Sequence, residues 1–195
     1  MKKGTFTYFV YICLVLLLCT TDIYGQLDVQ QLTEQQGLGN NTVNTIHQDR
    51  KGFLWIGTDI GMTRYGGNYF HTYNLSRPGG EPISISDIEE TEDRYLWLES
   101  EDGILSCFDK QQEKYLPIQW NDEIKQEEIQ KLYSTGNTLY AILPDGLYIL
   151  DVKSDGKTVL LNKKPVLENK KLFPSLNGQG TTLYLTDRDN RLIIY

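Results

Sequence analysis

Apolar residues in this chain fall in short alternating runs separated by polar turns, and the runs themselves repeat. Leu54-Trp55-Ile56, Leu96-Trp97-Leu98, Leu139-Tyr140-Ala141 and Leu183-Tyr184-Leu185 begin 42, 43 and 44 residues apart. Seven residues after each leading Leu stands Gly61, Gly103, Gly146 or Asn190. These residue types accept a positive φ and so allow a tight hairpin turn. An apolar pair three residues apart precedes each run, at Val43/Ile46, Ile85/Ile88, Ile129/Leu132 and Phe173/Leu176. Several strand-length runs per unit, at a period of about 40–45 residues, predict propeller blades. The expected class is all-β, a partial β-propeller of about four blades, each a four-stranded antiparallel meander, with the last blade incomplete.

In the first unit, strands are expected over 43–49, 53–58, 62–65 and 69–73, with Gly, Asn and Asp at the turns between them. The blades are placed at 43–80, 81–121, 122–165 and 166–195, after a lead-in strand at 26–42 of the kind that closes the last blade of a ring. Residues 75–82 are too rich in Pro and Gly for a sheet ladder and form a crossover. Residues 115–118 are read as the outer strand of the second blade. Helix-forming residues fill 122–128, but the register of Ile129 and Leu132 with Val43 and Ile46 makes 122–128 a crossover and 129–135 a strand. The fourth unit stops at Tyr195, short of its outer strand, which leaves an apolar edge.

Ahead of the repeats, Lys2-Lys3, an apolar run from Tyr8 to Cys19 and a polar stretch ending at Gly25 read as a secretory signal. The run is short for a membrane span. Cleavage is expected after Gly25, giving a periplasmic mature chain with no membrane segment. Lipidation at Cys19, opposed by Leu18 where a small residue is needed, and retention as an anchor are the alternatives. Only Cys107 then remains, so no internal disulfide can form and the fold rests on packing and sheet hydrogen bonds. Beside Phe108, that thiol reads as a small buried hydrophobe.

The formal net charge is −7 with no basic patch, which argues against nucleic acid as a partner. Catalytic signals are sparse. His47 and His71 have no second ligand at metal spacing, and Cys107 has no activating context. Glu89/Glu90 lie near a strand end and Asp187/Asp189 in a hairpin turn, where Asp serves the backbone. Gly66-Gly67 and Gly79-Gly80 lack the following Lys and Ser/Thr of a phosphate loop. No enzyme activity, catalytic residue, metal or cofactor is therefore expected. Among the aromatics, Trp55 and Trp97 repeat in register and are assigned to packing between blades. Tyr69, Phe70 and Tyr73 are assigned to packing on an outer strand. Trp120 does not repeat, which makes it the one candidate ligand contact.

The run 32–38, Leu-Thr-Glu-Gln-Gln-Gly-Leu, then Val43-Asn44-Thr45-Ile46-His47-Gln48-Asp49, then Gly52-Phe53-Leu54-Trp55-Ile56-Gly57-Thr58 with Gly61-Met62 and Arg64-Tyr65, resembles the opening of a two-component regulator propeller. The second copy keeps Leu-Trp and the Asp-Gly turn; the third and fourth match mainly in spacing. The resemblance covers about 27–195. It implies the periplasmic sensor region of a hybrid two-component system from Gram-negative bacteria that live on complex glycans. In that family two seven-bladed propellers precede a β-sandwich, a membrane helix, a histidine kinase, a receiver and a DNA-binding domain, and an oligosaccharide signal is passed inward.

A seven-bladed ring at this period needs roughly 300 residues, whereas 170 of the 195 follow Gly25. No second apolar span or kinase motif is read in the sequence. The chain is accordingly expected to be the N-terminal piece of a truncated or split sensor, partnered by an oligosaccharide and by the remaining blades. The alternative is a stand-alone exported module that binds or assembles by closing with a second copy.

Overall fold

A computed structural model of the chain describes residues 29–92, 94–120, 129–179 and 182–195, with backbone only at 174–179. The expected signal segment 1–25 and the crossover 122–128 lie outside the described residues. Contacts divide the chain into two units, Met1–Gln31 and Leu32–Tyr195, and all the described sheets lie in the second.

The first sheet runs β1 (Val43–Gln48), β2 (Leu54–Thr58), β3 (Gly61–Tyr65) and β4 (Phe70–Asn74), in that order. The second repeats the arrangement with β5 (Ile85–Thr91), β6 (Tyr95–Ser100), β7 (Leu105–Asp109) and β8 (Lys114–Leu116). The chain then forms β9 (Ile118–Trp120) before the third meander, β10 (Lys131–Thr135), β11 (Thr138–Leu143), β12 (Gly146–Ser154) and β13 (Val159–Glu168). A fourth sheet has three strands, β14 (Leu172–Gln179), β15 (Thr182–Asp187) and β16 (Leu192–Ile194). The first strands of successive sheets, β1, β5, β10 and β14, adjoin one another in turn. The array is a partial β-propeller.

Alternation along β2, β6, β11 and β15 sends the repeated Leu one way and the repeated aromatic the other. Trp55 packs forward into a core shared with Ile85, Leu96, Leu98 and Phe108 of the second sheet. Trp97 packs forward against Leu132 and Leu139 of the third. Tyr140 lies against Leu183 and Leu185 of the fourth. Each sheet thus presents an aromatic-led tail face to the Leu-led head face of the next.

Several details depart from the sequence expectations. The described lead-in is a 3-10 turn, Glu34–Gln36, closed by a capping box between Thr33 and Gln36, rather than a strand. It buries Leu38, and the Gly39 N–H donates to Thr63 Oγ1 across the head face of the first sheet. The 115–118 run is broken at Pro117, which has no N–H for a ladder. β8 ends at Leu116, and β9 pairs in parallel with β13, so Trp120 belongs to the third sheet. β13 continues past residue 165 to Glu168. In the fourth unit Leu172, not Phe173, fills the core, because an irregularity between Leu172 and Leu176 shifts the pairing. The turn residues also differ in purpose. Gly61, Gly103 and Asn190 adopt positive φ, at 121°, 77° and 58°. Gly146 does not; a Cβ there would lie 1.9 Å from the Leu167 carbonyl oxygen. It is glycine because β13 crosses too close for any side chain.

Candidate functional site

Two of the seams between sheets hold clusters of charged side chains. In the first, the β1–β2 turn brings Asp49 beside Trp55, whose Nε1 donates to Asp49 Oδ2 at 2.8 Å. Asp49 Oδ1 accepts the backbone N–H groups of Lys51 and Phe53, fixing the turn. Lys110, from the second sheet, reaches between Asp49 Oδ2, at 3.4 Å, and Glu90 Oε1. Glu90 also accepts the Arg50 N–H at 3.3 Å and faces His47 Nε2 at 3.5 Å. Burial alone would raise the Asp49 carboxyl, but the Trp55 indole, Lys110 and two backbone donors outweigh it and hold the group below its ordinary value. His47 is therefore part of the joint, its Nε2 buried without a hydrogen-bond partner.

In the second seam, β5 and β6 place Asp87 opposite Glu99, with Glu89 two residues along. Lys131 pairs with Asp87. Ser134 gives its N–H and hydroxyl to Glu89, and the Leu132 N–H donates to Glu99 Oε2 at 3.3 Å. Three carboxylates thus face one ammonium. Burial, reinforced by the charges of Asp87 and Glu89 against the pull of Lys131, pushes Glu99 up to about 7, and burial likewise raises Glu89.

A third cluster lies on β3 and β4. The Arg64 guanidinium sits 5.3 Å from the Phe53 ring centre, 5.6 Å from Trp55 and 5.9 Å from Tyr73, while its Nη1 donates to Glu113 at 2.6 Å. The His71 ring lies 4.5 Å from that of Tyr73, tilted by 50°. The rings of Phe53, Trp55 and Tyr73 are occupied by the Arg64 cation, and His71 is an exposed residue tilted against Tyr73. Cys107 is buried, and burial pushes its thiol up to about 12, far from a reactive thiolate. Among the described residues no group of three or more His, Cys, Asp or Glu is arranged to hold a metal ion.

Trp55 and Trp97 are fully buried in the seams, the latter with its Nε1 donating to Thr91 Oγ1 at 2.7 Å. Trp120 packs against the same core as Ile118, and its Nε1 is buried with no hydrogen-bond partner. Its neighbour Gln119 points the other way. There a cavity of about 310 Å³ is lined by Gln119, Lys153, Ser154, Asp155, Thr158 and Leu160. Asp155 Oδ1 is committed to the backbone N–H groups of Lys157 and Thr158, and Ser154 Oγ to the same turn. Gln119, Lys153 and Thr158 line it with further polar side chains, beside the apolar Leu160. The only sequence signal for this cavity was the polar 153–158 turn, whose meaning depended on β9 joining the third sheet.

Residues 37–59 match the two component regulator propeller family. No curated protein matches the sequence. Among solved structures, the chain is similar to the extracellular domain of a hybrid two component system of B. thetaiotaomicron, at TM-score 0.55 and 23% identity over 85% of this chain and 24% of that one. A second B. thetaiotaomicron extracellular domain, of a one component system, gives TM-score 0.54 and 18% identity over 79% of this chain and 20% of that one. The computationally designed Ika4 protein gives TM-score 0.54 and 12% identity over 86% of this chain and 98% of that one. The chain spans about a quarter or less of the two bacterial structures and nearly the whole of the designed one. Among the described residues no helix is long and apolar enough to cross a membrane. Residues 37–59 thus match the two component regulator propeller repeat, in a chain whose fold is similar to that of the extracellular domain of a bacterial hybrid two component system.

Proposed function

We propose that this chain is a sensory input segment of an exported two-component signalling system, responding to an oligosaccharide in the periplasm without catalysis of its own. The observation that carries the reading is the family match at 37–59, on the first sheet of an array of like sheets. Its support is chemical as well. The cavity beside Gln119 offers an amide, an ammonium, a carboxylate and a hydroxyl over an aliphatic floor, the mix of directional polar groups and apolar surface that holds a polyhydroxyl ring. Binding would draw β9 and the β12–β13 turn together, a displacement that the third sheet passes to its neighbours through the seams. Its partners are the oligosaccharide and further sheets of the same repeat.

Titrating the exported chain with a panel of neutral oligosaccharides, read by the thermal unfolding midpoint, tests this. A member of the panel is expected to raise the midpoint, and Gln119→Ala and Lys153→Ala to abolish the rise. No shift with any saccharide would overturn the reading. The exported protein is further expected in the periplasmic fraction with Gln26 as its first residue.

A further inference from the structure

The Arg64 guanidinium is held among the rings of Phe53, Trp55 and Tyr73, yet its hydrogen bonding is incomplete. Its side chain is only 16% exposed, and its Nη1 donates to Glu113 Oε1 at 2.6 Å. The Arg64 Nε is buried with no hydrogen-bond partner, and so is the hydroxyl of Tyr73 beside it. Arg94 shows a completed joint in the same fold. Its Nε and Nη2 both donate to Oδ2 of the buried Asp109, whose Oδ1 accepts the N–H groups of Gln111 and Gln112. A guanidinium is a fork suited to both oxygens of a carboxylate, and at Arg64 the Nε prong is unused.

Glu113 is not fixed as Asp109 is. It comes from the β7–β8 turn of the second sheet, its side chain is 45% exposed, and its backbone is left-handed at φ 50°, a conformation that costs a residue bearing a Cβ. An ion pair with so exposed a partner does little to hold it there. We propose that Arg64 and the Tyr73 hydroxyl, walled by Phe53 and Trp55, form a site for the carboxylate of a small organic acid, which Glu113 plugs until the ligand displaces it. A free carboxylate turns as the tethered one cannot, so its two oxygens serve the Nε and the hydroxyl that Glu113 leaves unmet. The strained turn lowers the cost of releasing the plug. The site lies between the first and second sheets and stands independently of the oligosaccharide reading, which concerns the cavity on the third.

Thermal unfolding of the exported chain in sodium acetate, against sodium chloride of equal ionic strength and against acetamide, tests the proposal. Acetate replaces the group that Glu113→Ala removes, and acetamide is its uncharged match. Acetate is expected to raise the midpoint of Glu113→Ala where neither control does. The wild type is expected to need about tenfold more acetate for the same gain, because the tethered carboxylate competes at a high effective concentration. In the Glu113→Ala chain, Arg64→Lys keeps a cation but loses Nε, and Tyr73→Phe loses only the hydroxyl; each is expected to weaken the acetate gain several-fold. Tyr73→Phe deletes a buried hydroxyl that has no partner, so without acetate it keeps its parent's midpoint, which separates a lost contact from a lost fold. A Glu113→Ala chain that acetate stabilises no more than chloride overturns the proposal. So does a wild type that acetate never stabilises, since Glu113 would then be a fixed strut. A gain that survives both Arg64→Lys and Tyr73→Phe, or that Gln119→Ala removes, also overturns it, because the acetate would then sit elsewhere.

Discussion

Ser134 hangs on Glu89: its backbone N–H at 2.9 Å and its hydroxyl at 2.6 Å both donate to the same carboxylate oxygen across the second seam. Among the described residues the edge of β10 has no strand beyond it, and the N–H groups that a ladder would satisfy are taken by carboxylates of the preceding sheet, Glu89 for Ser134 and Glu99 for Leu132. Sheets meeting edge-on at their first strands are thereby joined by polar bonds as well as by apolar contact.

That joint makes stability depend on pH in an unusual direction for a carboxylate. Glu99 titrates at about 7 in the fold against an ordinary value of 4.5. Between these values the folded state binds more protons than the unfolded state, so stability falls as pH rises from 4.5 to 7 and levels off above. Carboxylates held low, such as Asp49 and Asp109, act in the opposite sense and at lower pH. The difference between wild type and Glu99→Gln isolates the effect. The variant's thermal midpoint is expected to gain on wild type steadily over this interval and to hold its lead above pH 7. Parallel curves would show that Glu99 titrates normally.

Lys110 lies almost wholly buried between Asp49 and Glu90. Lys110→Met leaves two carboxylates facing each other without their cation and is expected to cost about 3–5 kcal/mol. Arg77→Ala, which removes an exposed pair with Asp102, is expected to change stability by less than about 1 kcal/mol. Denaturant unfolding of both variants checks the contrast. Equal small losses would mean that the first seam is held by its apolar core alone.

Much of the architecture was legible in the order of apolar residues, because one periodicity encodes two physical facts. The spacing of Leu54, Leu96, Leu139 and Leu183 gives the repeat, and the alternation within each run assigns one residue to each face. The polar joints were not legible. Glu99 and Ser134 have no like residues at the same spacing in other units, and the meaning of these residues and of Lys110 appears only when neighbouring sheets meet. The place of Trp120 was hidden for a related reason. Its failure to repeat follows from Pro117, which diverts the strand to another sheet, where the indole packs against the core. Asn190 keeps the turn geometry that glycine gives at position 61, but Gly146, which looked equivalent, answers to a close approach between strands.

That last distinction is measurable. Gly67 has a φ of 92° with nothing near the position a Cβ would take, so Gly67→Ala meets backbone strain alone, on the order of 1 kcal/mol. Gly146→Ala has an ordinary φ but drives a methyl into the Leu167 carbonyl, forcing β12 and β13 apart. It is expected to destabilise the third sheet by more than Gly67→Ala destabilises the first. Unfolding free energies of the two variants decide the order, and the reverse order would mean that β13 yields freely.

The tryptophans offer the sharpest separation of packing from recognition. Trp97→Phe deletes an indole N–H that a buried Thr91 hydroxyl accepts, leaving that hydroxyl unpaired, and is expected to cost about 1–3 kcal/mol. Trp120→Phe deletes an N–H that is buried without a partner, so the loss of packing area is offset by the removal of an unsatisfied donor. Its stability is expected to stay within about 0.5 kcal/mol of wild type. Because Gln119 rather than Trp120 lines the cavity, Trp120→Phe is also expected to leave saccharide-induced stabilisation intact where Gln119→Ala abolishes it. A Trp120→Phe chain that keeps its midpoint but loses the response to saccharide would move the binding surface to the other side of β9.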